Sequence, residues 1–200
     1  MSRVVACVLA VALSSPTVAP VSPSQETAPA ARYAISKAPD TLIPAVEVAD
    51  EIFDRMKSSM VKELTKAIRA GGASGAVDTC HASAAEVVEQ VKRTRSFPLG
   101  RTSDRLRNPT NVPPAWAAAT VTQYAGAKAA DVEGFAFDLG DRVGVMRPLP
   151  QASVCAGCHG PAARLAAGVK RVLAERYPAD RAVGFVEGQI RGWFWAEIPR

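Results

Sequence analysis

Five residues near the C-terminus, Cys155-Ala156-Gly157-Cys158-His159, constrain this chain more than any other feature. They form the C-x-x-C-H pattern, which is the attachment signature of a c-type haem. In that chemistry both thiols form thioethers with the haem vinyl groups, and the imidazole of the next residue binds the iron as the proximal ligand. The pattern therefore predicts one covalent haem c held by Cys155, Cys158 and His159.

A structural zinc site is the main alternative for the same residues. Cys80, Cys155, Cys158 and His159 would give tetrahedral zinc a Cys3His set, with His81 in reserve. Zinc sites usually combine two short paired clusters, whereas Cys80 and His81 are adjacent in the sequence. Adjacent helical residues point about 100° apart and seldom share one metal, so this alternative fits less well. A thioredoxin-like dithiol is a third interpretation, which needs no following His.

The N-terminus predicts export. Residues 1–19 read as a secretory signal peptide, with Arg3 before an apolar run from Val4 to Leu13 and small residues up to Ala19. That run is too short to span a bilayer, so we expect contact with a membrane only through an uncleaved signal. The C-x-x-C-H motif resembles that of cytochromes c, a resemblance that implies haem attachment after export. We therefore expect the mature protein in the periplasm.

The remaining chain is predicted to hold a single domain. Residues 20–45 are rich in Pro, Ala and Ser without periodicity, which is typical of a linker, and residues 46–200 are long enough for one domain with its own core. The formal net charge is +5, but basic residues are scattered among acidic ones. This balance does not favour a nucleic-acid partner. No second hydrophobic span is visible, which excludes a transmembrane receptor with an intracellular output module.

Cysteine usage singles out Cys80. The chain has four cysteines, of which Cys7 lies in the predicted signal while Cys155 and Cys158 are used by the haem. A single leftover thiol in an oxidising compartment is open to oxidation or intermolecular pairing unless something occupies it. A haem iron would be such an occupant, and a buried inert thiol on a helix face is the alternative.

Periodicity predicts helices first and strands later. Helices are expected over 46–70, which Gly71-Gly72 ends, over 75–93, from Pro113-Pro114 through Tyr124, and over 162–176. The segment 97–111 reads as irregular and Arg-rich. Hairpins are expected over 134–149, and over 182–198 about Glu187-Gly188. Alternation in the second hairpin places Gly192 and Phe194 on one face and Arg191, Trp193 and Trp195 on the other. This order of elements predicts an α+β domain.

Four motifs resemble those of one family. They are GAVDTC at 75–80, GRTSDRLRNPTN at 100–111, CAGCHG at 155–160 and YPADRAVGFVEGQIRG at 177–192. The chain is similar over 46–200, in this order, to a family of c-type haem domains with a PAS-like fold. That family includes a cyanobacterial haem protein of the Tll type and the periplasmic sensor portions of bacterial signalling proteins. The resemblance implies a PAS-like antiparallel sheet with long N-terminal helices enclosing one haem.

The resemblance also implies an axial ligand pair. His159 matches the proximal ligand and Cys80 the distal thiolate. His81 departs from the family pattern, and a slight rotation of its helix would let it compete as the sixth ligand. Three methionines are weaker rivals, for which core packing is the expected role: Met56, Met60 and Met146.

Arginines in the irregular segment have two candidate roles. Haem propionates are carboxylates, and a guanidinium pairs with a carboxylate through two parallel hydrogen bonds. Arg101, Arg105 and Arg107 are therefore candidates for binding a propionate. The alternative is that they fasten the loop to the domain through ion pairs of small energy.

The ligand set favours redox function over catalysis. A thiolate ligand donates charge to the iron and stabilises the ferric form, which favours redox sensing or low-potential one-electron transfer. A gas-responsive module is the alternative, in which reduction weakens the Cys80 bond and lets NO or CO replace it. We do not expect an enzyme, because a six-coordinate iron has no open position for substrate. The expected partner is an unidentified periplasmic redox or signalling protein.

Overall fold

The structure is a computed structural model that describes residues 30–94 and 96–200, except for the side chains of 78–88, 90–92 and 94. Its strands are β1 (Ala31–Ala34), β2 (Leu99–Thr102), β3 (Phe135–Asp138), β4 (Arg142–Pro150) and β5 (Ile190–Pro199). Its α-helices are α1 (Ile43–Thr94), α2 (Ala115–Gln123), α3 (Ala156–His159) and α4 (Ala167–Arg176). No helix among the described residues is long and apolar enough to cross a bilayer.

The strands form one antiparallel sheet in the order β1-β3-β4-β5-β2. The first half of α1 buries Phe53 and Met56 against one face, where they meet Phe194 of β5. On the other face α2 packs its apolar side against Phe135 and Trp193. Burial of each large apolar side chain contributes about 1.5–3 kcal/mol to stability. Helices on an antiparallel sheet confirm the predicted α+β class.

Helix α1 contains the break that the sequence predicts. Its backbone leaves the helical region at Gly71 (φ −141°, ψ 15°) and at Gly72 (φ 65°, ψ −169°). The positive φ of Gly72 suits glycine because it has no Cβ. The prediction for 162–176 needs a correction, since a 3-10 turn at Ala162–Arg164 precedes α4, which begins at Ala167.

The folded part of the chain begins earlier than the predicted boundary at residue 46. Residues 31–34 form the edge strand β1, which pairs with β3, and Leu42 and Ala45 are buried in the core. Residues 31–45 are therefore part of the fold rather than of the predicted 20–45 linker. An edge strand of four residues leaves no periodic signal, because its backbone hydrogen bonds require no particular side chains. The predicted signal peptide at 1–19 lies outside the described residues.

The predicted hairpin over 182–198 is wrong in its first half. Only residues 190–199 form a strand, and β5 pairs with β4 on one side and β2 on the other. Strand β2 occupies part of the segment that the sequence predicted to be irregular. The backbone of 184 and 185 instead bonds to the C-x-x-C-H turn: Gly184 N–H donates to Gly160 (2.8 Å) and Phe185 N–H to His159 (3.0 Å).

Candidate functional site

A cavity of about 260 Å³ has the C-x-x-C-H residues in its wall. Cys155, Cys158 and His159 all line it, so the fold directs the three predicted attachment residues to one space. Apolar side chains from α1, from the loop after β2 and from the strands complete much of the wall: Met60, Leu64, Ile68, Val77, Leu106, Leu149 and Phe194.

The C-x-x-C-H residues are held in a short helical turn. Cys155 ends a 3-10 turn, α3 follows over Ala156–His159, and Gly160 N–H donates to Ala156 (3.0 Å) to close it. Residues three apart lie on the same side of a helix, which explains why Cys155 and Cys158 share the cavity wall. The Sγ of Cys158 lies 3.8 Å from the carbonyl of Ala73, so α1 packs directly on this turn beyond its break.

The imidazole of His159 is half-buried and is oriented by a backbone carbonyl. Its Nδ1 lies 2.8 Å from the carbonyl oxygen of Ala182, which can only accept, so Nδ1 carries the proton. Burial lowers the pKa of His159 well below 6.5, and the positive charges of Arg191 and Arg107 lower it further. A neutral ring with Nδ1–H bonded to a carbonyl carries no proton on Nε2, so this nitrogen, which faces Nη1 of Arg107, has the lone pair that binds a metal.

Arg107 joins the C-terminal segment to the turn that holds the C-x-x-C-H residues (the attachment turn, 155–160), and Arg105 binds the same segment at 183 and 185. Arg107 donates from Nη2 to the carbonyl of Cys158 (2.6 Å) and from Nε to Asp180 (3.1 Å), and its Nη1 lies 3.5 Å from Nε2 of His159. Arg105 donates to the carbonyl of Val183 (2.9 Å). Its guanidinium also lies 3.6 Å from the ring centroid of Phe185. Both arginines make loop-fastening contacts of the kind the sequence left as an alternative, and these contacts are half-buried; the predicted propionate contacts stay a prediction.

Sequence reasoning missed Arg191. It lines the cavity together with Arg101, whereas strict alternation predicts it on the opposite face with Trp193 and Trp195. Those tryptophans pack with α2 and do not line the cavity. One residue in the sequence signals the irregularity at Arg191, namely the adjacent Gly192. A Cβ added at Gly192 would lie 2.5 Å from the carbonyl oxygen of Thr102.

The methionines divide into two environments. Met56 and Met146 are fully buried in the cores on the two faces of the sheet, which agrees with a packing role. Met60 is half-buried and lines the cavity, so it is the methionine of the three that has access to a ligand there.

The predicted distal ligands fall outside the described side chains. Backbone positions 80 and 81 lie in α1 beyond its break. Ala73 and Val77 of the same segment line the cavity, and 80 and 81 follow Val77 by three and four residues. In the part of the chain that is described, no three His, Cys, Asp or Glu side chains gather as a metal site. The Cys3His zinc set requires Cys80 and is therefore untested.

The residues present fit a haem c. Two thiols and a half-buried neutral imidazole line one largely apolar cavity. Among the described side chains, five basic ones also line it, against one acidic side chain, Glu63: Lys57, Arg101, Arg105, Arg107 and Arg191. This excess of positive charge suits a ligand that carries carboxylates.

Comparisons with known proteins find a family and a solved structure to which this chain is similar. The family model described as Tll0287-like (Tll0287) matches residues 28–199. Among solved structures, the chain is similar to one titled "Crystal structure of the cyanobacterial heme-protein Tll0287", with a TM-score of 0.58 and 23% identity. The match covers 82% of this chain and 98% of that chain. No curated protein matches. At this level of identity the structural likeness shows that the two chains share a fold.

Proposed function

This chain belongs to the Tll0287-like family, and we propose that it is an exported c-type haem protein acting in redox sensing or low-potential one-electron transfer. The observation that carries the proposal is that Cys155, Cys158 and His159 line one cavity. It is further supported by the solved structure of similar fold, whose title describes a cyanobacterial heme-protein. A bound haem supplies one-electron chemistry at its iron.

The protein's own residues would hold the cofactor at three points. Cys155 and Cys158 provide the two thiols for covalent attachment, and His159 provides Nε2 as the proximal ligand. The Ala182 carbonyl fixes the ring orientation through Nδ1 and makes the imidazole more basic toward a metal. The backbone bonds of 184 and 185 to the attachment turn limit movement of this ligand.

We propose Cys80 as the distal ligand, with His81 as the alternative. Two considerations support a ligand from this part of α1. Ala73 and Val77 line the cavity, and the next helical turn carries positions 80 and 81. Cys80 is also the thiol left over after export and haem attachment, and it matches the thiolate of the family. A thiolate stabilises the ferric iron and lowers the reduction potential, which is the basis for a low-potential role.

Spectroscopy of the exported protein tests this proposal. Ferric wild-type protein is expected to be six-coordinate and low-spin, with a sulfur-to-iron charge-transfer band. Cys80→Ala should remove that band and His81→Ala should retain it. If His81→Ala alone changes the spectrum, bis-His ligation is correct and the argument for an unusually low potential fails.

Carbon monoxide separates redox function from gas response. The dithionite-reduced wild type is expected to resist added CO, because a ligand held on a packed helix is hard to displace. Ready formation of a CO complex would favour the gas-responsive alternative, since it would show that the distal bond yields on reduction.

A further inference from the structure

A bulge in β5 changes the side of the sheet to which Arg191 belongs. Leu149 of β4 pairs with Gly192, but the next residue, Pro150, pairs with Ile190, so Arg191 is an extra residue in β5. The extra residue resets the alternation of the strand. Ile190 and Trp193, three residues apart, accordingly pack in the same cluster against α2. Bulges are common next to functional sites, where they redirect a side chain.

Contacts with β2 fix this bulge. The Ser103 hydroxyl donates to the carbonyl of Arg191 (2.8 Å), and the backbone of Thr102 approaches Gly192 so closely that a Cβ there would lie 2.5 Å from its carbonyl oxygen. Arg191 therefore has a defined position in the cavity wall, and its Nε atom is buried. Arg101 reaches the same wall from β2, because its register partner Phe194 also lines the cavity.

Arg105 and Arg107, which also line the cavity, bind acceptors of the protein loop and of the C-terminal segment. Arg107 binds Asp180 and the carbonyl of Cys158, and Arg105 binds the carbonyl of Val183 and stacks on Phe185. Moving either one to a ligand would break these contacts.

We propose that Arg191, with Arg101 beside it, receives the haem carboxylates, and that Arg105 and Arg107 hold the protein loop instead. The proposal rests on the proposed haem function. A guanidinium at this position pairs with a carboxylate in a bidentate fork and compensates its charge inside the cavity. A cation near the iron also favours the ferrous form, which has one positive charge fewer than the ferric form.

The first test is a crystal structure of the wild-type holoprotein. A haem carboxylate within hydrogen-bonding distance of Arg191 is the expected result. Carboxylates that pair with Arg105 or Arg107, or that extend into solvent away from Arg191, would overturn the proposal while leaving haem binding intact. Wild-type protein that carries no haem would refute the proposed function together with this inference.

Reduction potentials of four variants provide the second test. Arg191→Gln should shift the ferric–ferrous equilibrium about tenfold toward ferric, which is about 59 mV for one electron. Arg191→Lys, which retains the charge, should shift it less than about threefold, as should Arg105→Gln and the surface control Arg55→Gln. A shift for Arg191→Gln no larger than that for Arg105→Gln would contradict the proposal. If Arg191→Gln fails to fold or to retain haem, the wild-type structure decides.

Discussion

Removal of the Arg107 side chain should destabilise the domain more than any surface arginine does. The Arg107 and Asp180 side chains are only 15% and 9% exposed, and their charged atoms lie 3.0 Å apart. Loss of one partner of a buried ion pair costs about 3–5 kcal/mol, because the remaining charge is left without compensation. Arg107→Ala also leaves the Cys158 carbonyl without its 2.6 Å donor. Because Cys158 lines the cavity, we expect water to replace part of the lost bond. We therefore expect a loss of about 4 kcal/mol in the free energy of unfolding.

Urea and thermal unfolding, followed by circular dichroism, measure this loss. For a domain of this size each kcal/mol lowers Tm by about 2–4 °C, so Tm should fall by about 8–16 °C. Arg55→Ala is the matched control. It removes an arginine that is 66% exposed and pairs with Glu51 one helical turn away, so it should cost about 0.5 kcal/mol or less. Arg107→Lys retains the charge but loses the fork, and an intermediate loss is expected.

A double-mutant cycle isolates the ion pair itself. Arg107 does not fasten the attachment turn to 180–182 if Arg107→Ala lowers the free energy of unfolding no more than Arg55→Ala does. The same conclusion follows if the effects of Arg107→Ala and Asp180→Asn on that free energy are additive.

Further predictions concern the helix break, the bulge and an exposed carboxylate. Gly72→Ala should lower the free energy of unfolding in urea by about 1–3 kcal/mol, because φ 65° and ψ −169° suit only glycine. Gly75→Ala in the same helix should be neutral or stabilising. Equal effects of the two substitutions would contradict the helix break at Gly72. Gly192→Ala should destabilise the domain and expose β2 amides to hydrogen exchange, because its Cβ meets the Thr102 carbonyl; unchanged protection would argue against the close approach. The backbone N–H and hydroxyl of Ser36 lower the pKa of Glu133 below 4.5, so the stability from this contact is present above about pH 4.5 and is lost as the pH falls through the lowered pKa. NMR titration should show that Ser36→Ala raises this pKa; an unchanged value would exclude the hydroxyl contribution.

Local patterns predicted the parts of the fold that local chemistry determines. The C-x-x-C-H run predicted three residues that the structure brings to one cavity, because its spacing alone puts both thiols on one side of a helical turn. The break at Gly71-Gly72 was evident because two glycines lack helix propensity. The hairpin of β3 and β4 was also predicted correctly, since its turn has Gly140 at φ 85° between two alternating strands.

Long-range pairing was not predictable in the same way. β2 pairs with β5, with Leu99 opposite Ala196, and no residue type within 97–111 signals a partner so far along the chain. The strand pattern over 182–189 was misleading because the backbone of 184 and 185 bonds to the attachment turn rather than to a strand. Arg191 was assigned to the wrong face because a bulge shifts the alternation without leaving a pattern in the side chains.

The intact mass of the exported mature protein reports covalent haem attachment. When the chain is produced with a haem-maturation system and denatured, we expect the mass of the mature chain plus one haem. Replacement of both Cys155 and Cys158 by Ser should abolish that addition. An unmodified mass, together with one equivalent of zinc in the native protein, would contradict covalent haem attachment and favour the Cys3His zinc site.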